Sequence, residues 1–346
     1  MLDTVVVGAG QAGLAMAYQL KQAGMSYQIL EAADQVGGSW PAYYDSLTLF
    51  SPARYSSLPG LAFPGEANAY PKRDEVVRYL QDYARHFALP VRTGQRVLHV
   101  SRTGTDFELR IADGTRLQAR SVVAASGAFA YPYIPKLAGL ERFRGRVLHS
   151  RNYRRPEDFA GQRVIVIGSA NSAVQIADEL RAGSRVSLAS RRPVRFLPQR
   201  LLGRDIHFWL TLTGLDRTRW LDDQSTPVLD DGHYRRLLKT GELVRRPMFS
   251  SLTADGVVWA DGEAEPVDTL LFATGFRPHV PFLAGLNVFD ADGQLRQKNG
   301  SATAEAGLYF VGYPRQRNFA SATLRGVGPD AAQVLRSLRT CLQGKS

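Results

Sequence analysis

The chain has 346 residues, 44% of them apolar and 22% charged, enough for about two ordinary globular domains. No apolar run approaches the roughly 20 residues of a membrane span, the N-terminal run is broken by Gly8, Gly10 and Gly13 instead of ending in a signal cleavage site, and a single cysteine, Cys341, excludes an internal disulfide or C-x-x-C pair. The formal charge of +11 comes mainly from arginine, but no nucleic-acid motif accompanies it, and histidines 86, 99, 149, 207, 233 and 279 are scattered without ligand spacing, so neither a nucleic-acid partner nor a protein metal site is expected.

Thr4 to Val7 is a β-branched run that stops at glycines, the pattern of a buried parallel strand. Gln11 to Gln22 follows as a helix, with Leu14, Ala17 and Leu20 at helical spacing and Gly24 as its stop. Tyr27 to Leu30 is the next strand, and Glu31 closes a βαβ unit of about 30 residues. Ala112-Asp113-Gly114 predicts a hairpin turn leading into a strand that ends at Ser126-Gly127. Tyr131 to Pro135, rich in proline, predicts a linker. The plan then repeats: Arg163 to Ile167 as strand, Gly168 to Ala173 as turn, Val174 to Leu180 as helix and Arg185 to Ala189 as strand. Ala260-Asp261-Gly262 predicts a second hairpin turn, leading into a strand that ends at Thr274-Gly275. In both repeats 13 positions separate the turn glycine from the terminal one. Leu308 to Val311 predicts a late strand, and Pro329 to Leu342 a closing helix. The expected fold is α/β, with two Rossmann-like dinucleotide-binding domains of the two-dinucleotide-binding flavoprotein type. Residues 1–127 and 268–346 would form the discontinuous FAD-binding domain, and 128–267 an inserted NADPH-binding domain.

Gly8-Ala9-Gly10-Gln11-Ala12-Gly13 has the strand before it and the helix after it that a phosphate-binding turn needs. The helix start offers free N–H groups and a partial positive charge to a pyrophosphate. Glu31, 23 positions after Gly8, is placed to accept hydrogen bonds from an adenosine ribose. FAD is expected here. The second turn, Gly168-Ser169-Ala170-Asn171-Ser172-Ala173, is less regular, because Ala170 puts a methyl where the backbone must approach the pyrophosphate. At the same offset of 23 it carries Arg191, followed by Arg192. An arginine in place of the acid favours a 2′-phosphate, hence NADPH, with NADH as an alternative donor. NADPH contacts are expected at Gly168, Ser169, Asn171, Ser172, Ser190, Arg191, Arg192 and Thr274. Those to FAD are expected at Gly8, Gly10, Gln11, Ala12, Gly13, Glu31, Gly38, Ser39, Trp40, Val97, Ser126, Gly127, Gly275, Thr323 and Leu324.

Between the two units, Phe143-Arg144-Gly145-Arg146-Val147-Leu148-His149-Ser150-Arg151-Asn152-Tyr153 resembles the F-x-G-x-x-x-H-x-x-x-(W/F/Y) fingerprint of class B flavoprotein monooxygenases. Gly37-Gly38-Ser39-Trp40 is similar to that family's G-G-x-W segment, and Ala273-Thr274-Gly275-Phe276 to its A-T-G-(F/Y) element. The likeness covers nearly the whole chain in the right order, and its length is most similar to compact bacterial flavin-containing monooxygenases and to flavoproteins found beside metal- or arsenic-resistance genes. It implies that Phe143, Gly145, His149 and Tyr153 form a structural joint near the cofactors, not a proton-transfer set.

The resemblance further implies an FAD-dependent, NADPH-using monooxygenase. A flavin hydroperoxide formed with dioxygen would oxygenate a soft nucleophile, a sulfide or an amine. The flavin carries that chemistry, which accounts for the absence of a recognisable catalytic triad or carboxylate pair. Larger family members often carry an Asn near the flavin edge. Here the corresponding stretch is Leu49-Phe50-Ser51-Pro52, which leaves an NADPH oxidase or electron-transfer reductase as the alternative. Gly312-Tyr313 lacks the acid that many FAD-dependent disulfide reductases place after this glycine. Phe196 to Arg246 contains no readable motif, and its Trp209 and Trp220 fit core or pocket equally. A small-molecule substrate, a cytoplasmic location and no membrane partner are expected; the oligomeric state is open, a homodimer included.

Overall fold

The computed structural model describes residues 1–129, 131–218 and 227–344, so Trp220 lies outside the described residues. In chain order come β1 (Leu2–Val7), α1 (Gln11–Gln22), β2 (Tyr27–Leu30), α2 (Arg73–His86), β3 (Val91–Arg92), β4 (Val97–Thr103), β5 (Asp106–Ile111) and β6 (Arg116–Ala124). Next are β7 (Tyr131–Pro132), β8 (Arg146–His149), β9 (Arg163–Ile167), α3 (Asn171–Leu180) and β10 (Arg185–Ser190). Short pieces follow: β11 (Phe196–Pro198), β12 (Arg200–Leu201), β13 (Arg204–Asp205), α4 (Ile206–Thr213), β14 (Val228–Asp230), α5 (His233–Thr240) and β15 (Val244–Pro247). The remainder holds β16 (Ser251–Leu252), β17 (Gly256–Val258), β18 (Ala264–Pro266), β19 (Thr269–Phe272), β20 (Phe276–Arg277), β21 (Gln297–Lys298), β22 (Ser301–Ala302), β23 (Leu308–Phe310) and α6 (Leu324–Gln343).

Two sheets organise these elements, the first mixed with a parallel centre and the second parallel. The first runs β21-β22-β23-β6-β1-β2-β3, with β1 paired in parallel to β2 and β6 and β6 to β23. Alternation along β1 sends Val6 into one core and Val5 and Val7 into the other. On the Val6 side lie α1, α2 and α6; on the opposite side the β4–β5 hairpin and Val280–Val288 complete the layer. The second sheet is β15-β10-β9-β19-β8, parallel throughout. α3 and α5 cover one face of it, and the small antiparallel β16–β18 sheet with Phe143 covers the other.

Three expectations need correction. The sequence predicts a return to the first domain at Asp268, but Thr269–Phe272 pairs with β9 and β8 inside the second sheet. The crossing back falls after Phe272, in a ribbon where β20 pairs antiparallel with β7. The two hairpin echoes also differ. After Gly114 one nine-residue strand, β6, pairs with both the hairpin partner β5 and the central β1, whereas after Gly262 the chain is divided between β18 and β19 in separate sheets. Finally, the closing helix starts at Leu324, so that Pro329 stands inside it. Thr323 Oγ1 caps its start by accepting from Gly326 N at 3.2 Å, and Gly326 packs so tightly on the Ala320 carbonyl that a Cβ would come within 1.8 Å. That anchoring fixes the first turn ahead of the proline.

Candidate cofactor sites

Strand ends place the sites. β1, β2, β6 and β23 all deliver their carboxyl ends to one edge of the first sheet, which is where Gly8, Glu31, Ser126-Gly127 and Gly312 lie. The chain enters α1 with Gly8 at φ +110°, where a Cβ would lie 2.7 Å from the Ala125 carbonyl oxygen. Gly13 faces back onto the turn, 1.9 Å from Gly8 O for any added Cβ. Gly38, at φ +58°, brings its backbone against Gly10, with only 2.8 Å between a would-be Cβ and Gly10 Cα. Gly312 brings the chain after β23 equally close to Ala12.

No side chain caps α1, so the N–H groups of its first turn, Gln11 to Gly13, are open to a ligand. Glu31 is buried, and its two oxygens accept from Ala9 N at 2.7 Å and Ala33 N at 2.9 Å. Each carboxylate oxygen keeps a lone pair for a further donor, and the group is already oriented. Gln11 accepts from Trp40 Nε1 at 2.7 Å and donates to Ala322 O at 3.2 Å, tying the Gly38–Trp40 segment and the start of α6 to the turn. Ser39 Oγ is 3.3 Å from the Tyr43 hydroxyl, and Ser126 Oγ is 3.1 Å from that of Tyr313. Val97 packs with Val7 and Leu30 at the strand ends. These expected FAD positions therefore converge on one edge. The cradle, made of close backbones and an uncapped helix start, fits a pyrophosphate.

The second sheet repeats the arrangement at its own carboxyl edge. There lie Gly168, His149, Ser190–Arg192 and Thr274-Gly275, each just after or at the end of a parallel strand. α3 is also uncapped, with Ala170 extended at its N-cap. Asn171 is partly engaged, accepting from Leu229 N at 3.2 Å, and Ser169 and Ser172 are half-buried. Arg191 and Arg192 are exposed, and their side chains make no ion pair among the described residues.

One residue here was missed by the sequence reading. Arg245, on the neighbouring β15, donates from Nε to Ser190 Oγ at 3.0 Å and from an Nη to Ser190 O at 2.9 Å, while Ser190 Oγ donates to Arg192 O at 2.8 Å. It braces the turn that presents the two exposed arginines. Arg191 had the offset from Gly168 to identify it, whereas Arg245 has no motif and reaches Ser190 only through strand pairing.

The fingerprint residues bracket β8, with Phe143 and Gly145 before its amino end and His149 and Tyr153 at and beyond its carboxyl end. Gly145 leaves room for the Phe143 ring and the Asp268 carbonyl, which a Cβ would meet at 2.4 and 2.6 Å. Tyr153 is fully buried and donates to Glu179 of α3 at 2.9 Å. His149 uses both ring nitrogens: Nδ1 accepts from Arg151 N at 3.1 Å, and Nε2 donates to Gly275 O at 2.9 Å. Burial lowers its pKa, with the Arg151 charge adding to this and the Gly275 bond opposing it. Thr274 Oγ1 donates to Tyr133 O and Tyr133 N to Gly275 O, so the ribbon and the fingerprint grip the same loop.

The sequence pattern of the pyridine nucleotide-disulphide oxidoreductase family matches residues 5–202, from β1 through the second glycine turn and beyond. The chain belongs to that family. A solved flavin-containing monooxygenase from Stenotrophomonas maltophilia is 34% identical, covers 98% of each chain and superimposes with a TM-score of 0.87. An "uncharacterized oxidoreductase CzcO-like" of Geobacillus kaustophilus is 33% identical over 98% of both chains. "Indole-3-pyruvate monooxygenase YUCCA1" of Oryza sativa is 30% identical over 96% of this chain and 90% of its own. The protein is thus an oxidoreductase of the flavin monooxygenase type, a class that works with a flavin, a nicotinamide nucleotide and oxygen. With Cys341 alone, it has no dithiol for the chemistry in the family's name. Among the described residues no helix is long and apolar enough to cross a membrane, and no group of three metal-ligating side chains occurs.

Proposed function

We propose that this protein is an NADPH-dependent monooxygenase that binds FAD at the Gly8 turn and NADPH at the Gly168 turn and adds one oxygen atom of dioxygen to a small soft nucleophile. The observation that carries the reading is the pair of uncapped helix starts at the carboxyl ends of parallel strands in two sheets, with the β7–β20 ribbon between them. FAD, when bound, supplies electron transfer from the nicotinamide and oxygen transfer to the substrate. The chain supplies the setting: α1 holds the pyrophosphate, Glu31 the ribose, and Arg191 and Arg192 the 2′-phosphate.

The test is anaerobic reduction by NADPH followed by mixing with dioxygen and methyl phenyl sulfide. Reduction followed by sulfoxide in stoichiometric yield supports the reading. Peroxide without sulfoxide overturns it in favour of an oxidase, the outcome that the lack of an Asn in the Leu49–Pro52 stretch would favour. The choice of NADPH is tested by Arg191→Ala, expected to cost about 1.5–3 kcal/mol with NADPH, a 10- to 100-fold effect, while leaving NADH kinetics nearly unchanged. Equal losses with both donors would remove Arg191 from the 2′-phosphate site.

A further inference from the structure

The segment from Gln199 to Arg217 leaves the second sheet and lies on the first lobe. Gln199 Nε2 donates to Phe50 O at 3.0 Å and to Asp205 Oδ2 at 2.7 Å, and the Tyr70 hydroxyl donates to the same Oδ2 at 2.6 Å. At its other end Arg325 Nε donates to Asp216 Oδ2 at 3.0 Å, one residue past Leu324. The segment thus runs between Phe50 and the expected FAD contacts at the start of α6.

His207 lies on this segment, 2% exposed, with its ring between Phe50 and Tyr55 at centroid distances of 6.2 and 6.1 Å and interplanar angles of 20° and 28°. Asp205 Oδ1 accepts from His207 N at 2.8 Å and is 2.7 Å from Nδ1. Burial would raise the Asp205 carboxyl, but hydrogen bonds from His207, Tyr70 and Gln199 bring it down to about 2. An ionised carboxylate only accepts, so Nδ1 carries a proton, and the neutral ring has its lone pair on Nε2. Nε2 makes no hydrogen bond among the described residues. His149, by contrast, is satisfied at both nitrogens. An oriented, acceptor-ready imidazole beside a 44% exposed Phe50 is arranged for a ligand that donates a proton.

Building on the monooxygenase reading above, we propose that His207 is the proton acceptor for an arylalkylamine substrate bound beside the exposed Phe50 ring, against the Gln199–Arg217 segment. Such an amine is an ammonium ion near neutral pH, and its nitrogen cannot attack oxygen until it loses a proton. The N–H bond breaks as the Nε2–H bond forms, and Asp205 stabilises the resulting imidazolium. The free amine then takes one oxygen atom, with two electrons from the nicotinamide nucleotide and the second oxygen atom leaving as water. A sulfide needs no such proton removal. Other titratable or charged groups around the ring are Tyr70, Tyr55, Arg200 against Tyr70, Arg54 over Tyr55 and Arg204 over Phe208.

The experiment compares benzylamine with methyl phenyl sulfide in the FAD-loaded enzyme and its His207→Phe and Asp205→Asn variants. Both variants should lower the amine-to-sulfide ratio of kcat/KM about tenfold or more at pH 7, with the deficit closing as pH rises and free amine accumulates. In protein labelled with 15N-histidine, benzylamine should shift an Nε2 resonance that is missing from the His207→Phe spectrum. An unchanged ratio in either folded variant, or no shift, overturns the proposal while sulfide oxygenation still supports the monooxygenase reading. Wild-type enzyme that makes only peroxide from both substrates overturns both.

Discussion

At the residue scale, Gly10 and Gly13 separate what the fold requires from what the ligand requires. Gly13 can gain no Cβ without meeting Gly8 O at 1.9 Å, a backbone atom with nowhere to move, so Gly13→Ala should destabilise the protein by about 3 kcal/mol. Gly10 is different. Its backbone is extended, at φ −80° and ψ −172°, and an added Cβ would meet only Gly38 Cα at an ordinary 3.5 Å. Gly10→Ala should therefore leave apo-protein stability within about 0.5 kcal/mol. Its FAD affinity should fall about tenfold, or about 1.4 kcal/mol, because the methyl stands where the pyrophosphate approaches. Urea denaturation of the apo-protein and FAD titration check the two halves separately. Equal damage to stability from both variants would reduce the turn to a packing motif. Ala170 already carries this methyl at the matching N-cap of α3, with the same extended backbone and an exposed side chain. These positions were legible in the sequence because a glycine turn between a strand and a helix is a local pattern.

At the element scale, β8 and β19 are stitched at their ends by His149 on Gly275. The His149 pKa is lowered by burial, and the unfolded chain titrates near the ordinary histidine value of about 6.5. As pH falls through about 6.5, the unfolded state gains a proton that the folded state resists, so stability present above this pH is lost below it. The melting temperature should drop between pH 7.5 and 5.5, and His149→Gln should flatten that part of the drop; an identical slope in the variant would remove His149 as its source. The sequence revealed the strands but not all their partners. Thr269–Phe272 is apolar on both faces, as any central parallel strand is, and nothing local says which sheet receives it. Pairing with β9 is supported 105 residues away, where Asp268 Oδ2 accepts from Arg163 N and Nε at 2.8 and 3.0 Å. The Phe196–Arg217 region was least legible, since its strands span two or three residues and carry no sustained periodicity.

At the scale of the whole molecule, the lobes meet through polar groups that range from buried to exposed. The Tyr44 hydroxyl donates to Gln175 of α3 at 2.6 Å, and its ring packs 5.9 Å from that of Tyr153. Arg154 donates to the Pro41 and Tyr43 carbonyls at 3.1 and 2.8 Å. Asp216 also pairs with Arg325 across the lobes, with side chains 5% and 14% exposed. Asp216 Oδ1 has no hydrogen-bond partner among the described residues, so this carboxylate depends on Arg325 for compensation. Arg325→Met should then cost about 3–5 kcal/mol by stranding a buried charge, whereas Asp216→Leu combined with Arg325→Met should recover most of it. Urea midpoints for the four proteins of this cycle give the coupling directly, and it should exceed about 2 kcal/mol. Limited proteolysis should find the Gln199–Arg217 segment more susceptible in Arg325→Met than in the double variant. If the single effects simply add, the segment rests on the first lobe through Gln199, Tyr70 and Asp205 alone, and Arg325 has no part in keeping it there.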